Sequence, residues 1–255
     1  MAVLTGSFLS TELGRHNSFS VIMPHDVLDE PQWGFPVLYL LHGRSDDATT
    51  WLYRSNVERY AQEYGICVVM PDIATSYCVD MAYGGNYYTY VAHELPEVMR
   101  SMFRMSVRRE DTYIGGISMG GYGALRCALT APEKYAGCIA LSPVADIGHI
   151  MAEQCAEGQK NMWRCIVGDT LRPDRNLDLF QILEESGGYV NLCPRIYIAC
   201  GKQDPFFDDN LRLKEAIDDH RIEFTFEQAD AGHEWGFWDI ALQRGMEMLI
   251  GKRRG

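Results

Sequence analysis

Thr112-Tyr113-Ile114-Gly115-Gly116-Ile117-Ser118-Met119-Gly120-Gly121-Tyr122-Gly123-Ala124-Leu125 is the stretch on which the fold turns. Its first residues read as a buried strand, and a helix is expected from 120 to about 129, ended by Pro132. Between them lies Gly116-Ile117-Ser118-Met119-Gly120. Gly-x-Ser-x-Gly alone arises by chance, but between a strand and a helix it has the context in which a serine is exposed on a sharp, strained turn. The two glycines leave room for neighbouring backbone to approach that turn closely.

Working outward, Val37-Leu38-Tyr39-Leu40-Leu41 and Ile66-Cys67-Val68-Val69-Met70 read as strands. Between them Val57, Tyr60, Ala61 and Tyr64 share one helical face. A second helical face follows at Val91, Leu95, Val98 and Met102, where Pro96 either starts a new helix or kinks the first. After the serine helix come a strand at 138–141, a strand at 196–200, a helix at 211–217 and an alternating strand at 222–226 near the sheet edge. Residues 3–10 and 19–23 read as an antiparallel edge hairpin broken by Gly14 and Asn17. Alternating strands and helices specify an α/β class with a mostly parallel, doubly wound sheet. One domain is expected over 1–255. Residues 145–190, rich in Gly, Asp and polar side chains, interrupt the rhythm and read as a small inserted cap.

The 255 residues carry 23 Lys and Arg against 35 Asp and Glu, a formal net charge of -12. That field repels polyanions and argues against a nucleic-acid partner. Lys252, Arg253 and Arg254 read as a solvated basic end. No apolar run reaches the roughly 18 residues of a membrane span, and the first residues lack a signal-peptide pattern, so no membrane partner and a cytoplasmic location are expected. The eight cysteines are dispersed, with Cys67, Cys138 and Cys200 in apolar runs, so they read as reduced core residues. Cys155 and Cys165 fit no compact metal knuckle and no His cluster accompanies them, so no metal and no cofactor are expected. A homo-oligomer remains open.

A serine hydroxyl is a weak nucleophile near neutral pH, so a base must take its proton and an acid must orient that base. Of seven histidines, His233 in Ala231-Gly232-His233-Glu234-Trp235 lies in a turn between the final strand and the final helix. His16, His25, His149 and His220 sit in polar segments, and His93 belongs to a helix. For the acid, Asp204 follows the strand ending at Cys200, where a loop at the carboxyl edge of the sheet reaches the base. Asp208 and Asp209 compete for that role, and Asp204 also reads as a helix cap. The order Ser118, Asp204, His233 is the one expected on this kind of fold. Developing negative charge on a carbonyl oxygen would be met by the backbone N–H of Met119 and, from Leu41-His42-Gly43-Arg44, that of Arg44 or else Gly43. His42 reads as a brace for that loop.

The segments LLHGRSDDATTWL, GISMGGYGALRCAL and AGHEWGFWD, together with Tyr87-Tyr88-Thr89-Tyr90 before His93-Glu94-Leu95-Pro96, resemble the esterase D-like putative esterase family, especially bacterial tributyrin esterases and small feruloyl esterases. The resemblance runs from about 37 to 241. It implies an α/β-hydrolase fold with a short cap and carboxylic ester hydrolysis by Ser118, Asp204 and His233, with Arg44 and Met119 as oxyanion donors. S-formylglutathione hydrolases of the wider group usually carry Ser-Gly-Leu where this chain has His42-Gly43-Arg44. Trp51, Tyr87, Trp163 and Trp235 are the expected substrate contacts, with Tyr83, Tyr88 and Trp238 nearby, and short-chain acyl or hydroxycinnamoyl esters are the expected small-molecule substrates. A thioesterase, a carbohydrate deacetylase and a non-catalytic binding module of the same fold are the competing readings.

Overall fold

A computed structural model of the chain describes residues 1–26, 31–185 and 192–251. The chain opens with β1 (Ala2–Ser10) and β2 (Arg15–Met23), an antiparallel pair in which Ala2 faces Met23 and Ser10 faces Arg15. The hairpin is tighter than the sequence suggests. Gly14, at φ 62°, closes the turn, and Asn17 lies inside β2, where its side chain donates to Asp72 O at 2.7 Å.

Next come β3 (Val37–Leu41), α1 (Thr50–Arg54), α2 (Val57–Tyr64) and β4 (Cys67–Pro71). A composite helix then runs through α3 (Tyr87–Thr89), a π-helical turn (Tyr90–Glu94) and α4 (Leu95–Met102). Pro96 falls in the first turn of α4, where its missing N–H costs little. Ala92 O instead accepts from Lys134 Nζ at 2.8 Å. Val91, Leu95 and Met99 form the buried face of this helix, whereas Met102 is half exposed, so the buried stripe ends one turn sooner than expected.

β5 (Thr112–Ile117), α5 (Met119–Thr130) and β6 (Gly137–Leu141) follow. Between β6 and the next strand lie α6 (Ile147–Ala156), α7 (Lys160–Val167), a 3-10 turn (Arg175–Leu177) and α8 (Leu179–Glu185), which occupy the segment read as a cap; its last residues, 186–190, lie outside the described residues. These helices bury Ile147, Trp163, Leu179 and Leu183 in the main core. The chain ends with β7 (Arg195–Gly201), α9 (Phe207–Asp219), β8 (Phe224–Ala229) and α10 (Trp235–Leu249). β8 starts two residues later than the alternation suggests, because Arg221 turns the chain at φ 57° and Ile222 N–H bonds back to Ile217 O. The basic residues Lys252, Arg253 and Arg254 lie outside the described residues.

Among the described residues, eight strands form one sheet in the order β1-β2-β4-β3-β5-β6-β7-β8, parallel from β4 to β8. Strand residues alternate between two cores. Val37, Tyr39 and Leu41 join the core beneath α4, α5 and α9, while Leu38 and Leu40 join the one beneath α2 and α10. Helices on both faces account for near-continuous apolar strands, since neither face meets water.

Two consequences position the site. After β3 the chain first moves outward to β4, then crosses back to β5 on the other side of β3, so the strand order reverses between β3 and β5. Clefts of open α/β sheets lie at such a reversal, outside the carboxyl ends of the strands. Register then aligns those ends: Leu41 sits beside Gly116, Ile117 beside Leu141, Leu141 beside Ala199, and Gly201 beside Ala229.

Candidate active site

Ser118 occupies the turn between β5 and α5 with φ 53° and ψ -117°, a conformation L residues rarely adopt. Its N–H donates to Leu141 O at 2.9 Å, and its carbonyl accepts from Tyr122 N at 3.0 Å and Val144 N at 3.2 Å. The strained turn is thus held from three directions. A Cβ on Gly116 would sit 2.5 Å from Gly120 C, and one on Gly120 would sit 2.5 Å from His42 O. Both glycines are required by close backbone approach, which presses the loop after β3 against the start of α5.

His42 braces that loop. It is buried, Ile73 N–H donates to its Nε2 at 2.9 Å, and its Nδ1–H therefore donates to Gly43 O at 2.6 Å. Both ring nitrogens are occupied, which fits the bracing role expected of it.

Gly201 does for the far loops what Gly116 does for the turn. A Cβ there would meet Ala231 O at 2.1 Å. With only hydrogen at that position, Gln203 N–H reaches Ala231 O at 3.0 Å and the loop carrying His233 folds over the end of β7. Asp204 then performs two tasks. Its Oδ1 accepts from Phe206 N–H at 2.9 Å, a turn contact and not the helix cap the sequence also allowed, since α9 begins at a Phe206 cap with no side-chain bond, while Oδ2 faces His233 Nδ1 at 2.8 Å. A carboxylate only accepts, so Nδ1 carries the proton and Nε2 presents its lone pair. That lone pair lies 3.1 Å from Ser118 Oγ.

The imidazole is fixed by rings as well as by hydrogen bonds. Phe206 and Trp238 meet it edge-on, with centroids 5.1 and 4.7 Å away and interplanar angles of 86°. Trp238 is itself held by its indole N–H on Ser142 Oγ at 3.0 Å. Neither competing acid is bonded to His233: Asp209 pairs with His149 and Arg212, and Asp208 is exposed on α9. His16, His25, His93 and His149 are exposed, and His220 is half-buried on Ala216 O.

Ser118 and His233 open into a cleft of about 410 Å³ lined also by Arg44, Asp46, Tyr77, Gln154, Trp235 and Trp238. Arg44 is tied on both sides, its guanidinium donating to Gln159 Oε1 at 2.7 Å and its carbonyl accepting from Thr75 Oγ1 at 3.1 Å. Met119 is the buried first residue of α5. Of the four aromatics expected at the cleft, only Trp235 lines it. Trp51 is buried beneath it, with its indole N–H on Leu41 O at 3.1 Å and its ring edge-on to Trp235. Trp163 is fully buried behind Tyr77 and Gln154. Tyr87 is held away by Arg15, which donates to its hydroxyl at 3.1 Å. Tyr83 bonds Asp169, and Tyr88 bonds Thr130 beneath the Arg126 guanidinium.

Tyr77, Gln154 and Phe206 are cleft residues that the sequence reading did not single out. Tyr77 follows β4 with a positive φ of 52°, a conformation with no local sequence signal in Ser76-Tyr77-Cys78. The eight cysteines are free thiols, and burial pushes the Cys67 thiol up to about 12. Among the described residues no cluster of His, Cys, Asp and Glu could hold a metal ion, and no helix is long and apolar enough to cross a membrane.

Residues 10–248 match the family model Esterase, described as putative esterase. A relative named acetyl esterase, from Caldicellulosiruptor saccharolyticus, is 30% identical over 264 residues, covering 98% of each chain. Among solved structures, the substrate-bound fluorophosphonate-binding serine hydrolase F of Staphylococcus aureus superimposes with a TM-score of 0.88 at 30% identity, covering 98% of both chains. The S-formylglutathione hydrolase FrmB of Staphylococcus aureus gives a TM-score of 0.85 at 30% identity, again over 98% of both.

Proposed function

Since the chain belongs to the putative esterase family and is a hydrolase of the α/β-hydrolase fold, we propose that it cleaves short-chain carboxylic esters through an acyl-enzyme on Ser118. The observation that carries this reading is the unbroken series from Asp204 Oδ2 through the His233 ring to Ser118 Oγ, with contacts of 2.8 and 3.1 Å. His233 takes the Ser118 proton as Oγ attacks the ester carbonyl, then returns it to the leaving alcohol. A water activated by the same nitrogen releases the acid. Asp204 keeps the proton on Nδ1 and offsets the charge of the imidazolium. The backbone N–H groups of Met119 and Arg44 receive the oxyanion, the first at the positive end of α5 and the second from the loop pressed against it.

Trp51, Tyr87 and Trp163 do not line the cleft, whose aromatic lining is Tyr77, Phe206, Trp235 and Trp238, and the short acyl preference is supported by the names of the aligned relatives, which point to acyl groups of one or two carbons. A thioester reading is favoured by the S-formylglutathione hydrolase match over 98% of this chain, despite His42-Gly43-Arg44 in the oxyanion loop. A rate panel decides between them: aryl acetate, butyrate and octanoate, methyl ferulate, and S-formylglutathione. The expected result is kcat/KM highest for acetate or butyrate. A maximum at octanoate or ferulate would overturn the short-chain reading, and one at S-formylglutathione would establish the thioesterase.

A further inference from the structure

Acyl transfer makes no use of two polar side chains in the cleft, Tyr77 and Gln154. Both are buried residues, and both are held with unusual firmness. Tyr77 belongs to a run of strained backbone, with Ala74 at φ 45° and Tyr77 and Cys78 both at 52°. Conformations of that kind persist only where the surroundings enforce them. Here Arg126 Nη1 donates to Cys78 O at 2.9 Å, and Cys78 N–H donates to Ser76 Oγ at 3.0 Å. The Tyr77 ring packs on Trp163, centroids 4.7 Å apart, and meets Tyr122 edge-on at 6.4 Å.

The hydrogen bonds among these groups have a direction. An indole N–H only donates, so Trp163, 3.1 Å from Gln154 Oε1, fixes which end of the amide is oxygen. Gln154 Nε2 then lies 3.2 Å from the Tyr77 oxygen and donates to it. The Tyr77 hydroxyl in turn reaches the second lone pair of Oε1 only at 3.3 Å, the longest bond of the group. The phenol therefore accepts from the amide, and its own proton, held only by the long bond to Oε1, can be drawn to a closer acceptor in the cleft. Burial raises the phenol above its ordinary value, which keeps that proton in place.

We propose that Tyr77 is a specificity-determining residue whose hydroxyl, oriented by Trp163 through Gln154, donates a hydrogen bond to an oxygen on the acyl chain itself. The substrates favoured are short acyl groups bearing an ether, hydroxyl or oxo oxygen over plain alkanoyl groups of the same length. An alkyl end placed against Tyr77 would leave the phenol proton with no acceptor better than the long bond to Oε1, and a site built to hydrogen-bond its substrate rejects the analogue that lacks the group. The inference rests on the esterase reading of Ser118.

The test compares 4-nitrophenyl methoxyacetate with 4-nitrophenyl butyrate, in which an ether oxygen replaces one methylene. Each kcat/KM is divided by the hydroxide-catalysed rate of the same ester to remove intrinsic reactivity. The protein is expected to favour methoxyacetate by about three- to tenfold, the range of one neutral hydrogen bond. In Tyr77→Phe that ratio falls to near one while the melting temperature shows the variant folded. If Tyr77→Phe does not fold, Gln154→Met, which removes the group orienting the phenol, lowers the same ratio. A ratio near one in the unmodified protein, or one untouched by a folded Tyr77→Phe, overturns the inference and leaves the esterase reading standing. Hydrolysis of neither ester, or hydrolysis that survives Ser118→Ala, overturns both.

Discussion

The two ends of the cleft are built by different means. At the Ser118 end the geometry is made by backbone: Gly116, Gly120 and Gly201 stand where any Cβ would lie 2.1 to 2.5 Å from main-chain atoms, and strand register carries the serine, acid and base to one edge. At the Tyr77 end it is made by side chains from two distant segments. The loop after β4 gives Tyr77, and α6 and α7 give Gln154 and Trp163. Backbone construction fixes atoms and tolerates no substitution, as transition-state geometry requires. Side-chain construction can be revised one residue at a time, which suits the acyl-selecting role proposed for this wall.

The largest effects test the reactive end. Ser118→Ala and His233→Ala are each expected to lower kcat by roughly 10⁶-fold, and Asp204→Asn by about 10⁴-fold, if the residues act as the proposed unit. Steady-state kinetics on an aryl acetate measures these losses. Equal and modest losses for all three would mean that the observed hydrogen bonds are structural. A second pair of variants contrasts the two ends directly. Gly116→Ala forces a Cβ against the Gly120 backbone and is expected to cost about 3 kcal/mol or more. Trp163→Phe removes one buried hydrogen bond and is expected to cost about 2 kcal/mol. Thermal or urea unfolding checks both, and a Gly116→Ala that is as stable as the unmodified protein breaks the contrast.

The smallest effect concerns the tie between the ends. α6, which carries Gln154, is joined to α9 by His149 on Asp209 at 2.7 Å and by Arg212 on Asp146 at 3.2 Å. The Asp209 carboxylate raises His149 above its ordinary 6.5, so the pair's stabilisation is full below that value and is lost as pH rises through the raised one. His149 is half exposed, which limits the effect to about 0.2–1 kcal/mol. His149→Ala should therefore lower the melting temperature slightly at acid pH and not at alkaline pH. The opposite dependence would mean that the pair does not form.

This difference in construction also explains what the sequence discloses. Glycine at a forced position, an apolar strand before it and a helix after it are local signals, so Ser118 and its turn are legible in one short stretch. Asp204 and His233 are legible because topology brings loops after successive parallel strands to the same edge. Tyr77 and Gln154 carry no such signal, because their meeting depends on how α6 and α7 pack over the sheet. Reading the aromatics by loop position alone placed Trp51, Tyr87 and Trp163 at the substrate, whereas indole and phenol groups with buried partners turned them inward. Trp235 and Trp238, close to the base in the chain, do line the cleft.

The account stands on Ser118 being a nucleophile activated by His233, and a fluorophosphonate probe reads that chemistry in one turnover. Intact-mass measurement followed by peptide mapping should find a single adduct on Ser118, absent from Ser118→Ala and slowed by orders of magnitude in His233→Ala. A folded protein that takes no label, or one labelled equally in Ser118→Ala, would contradict it.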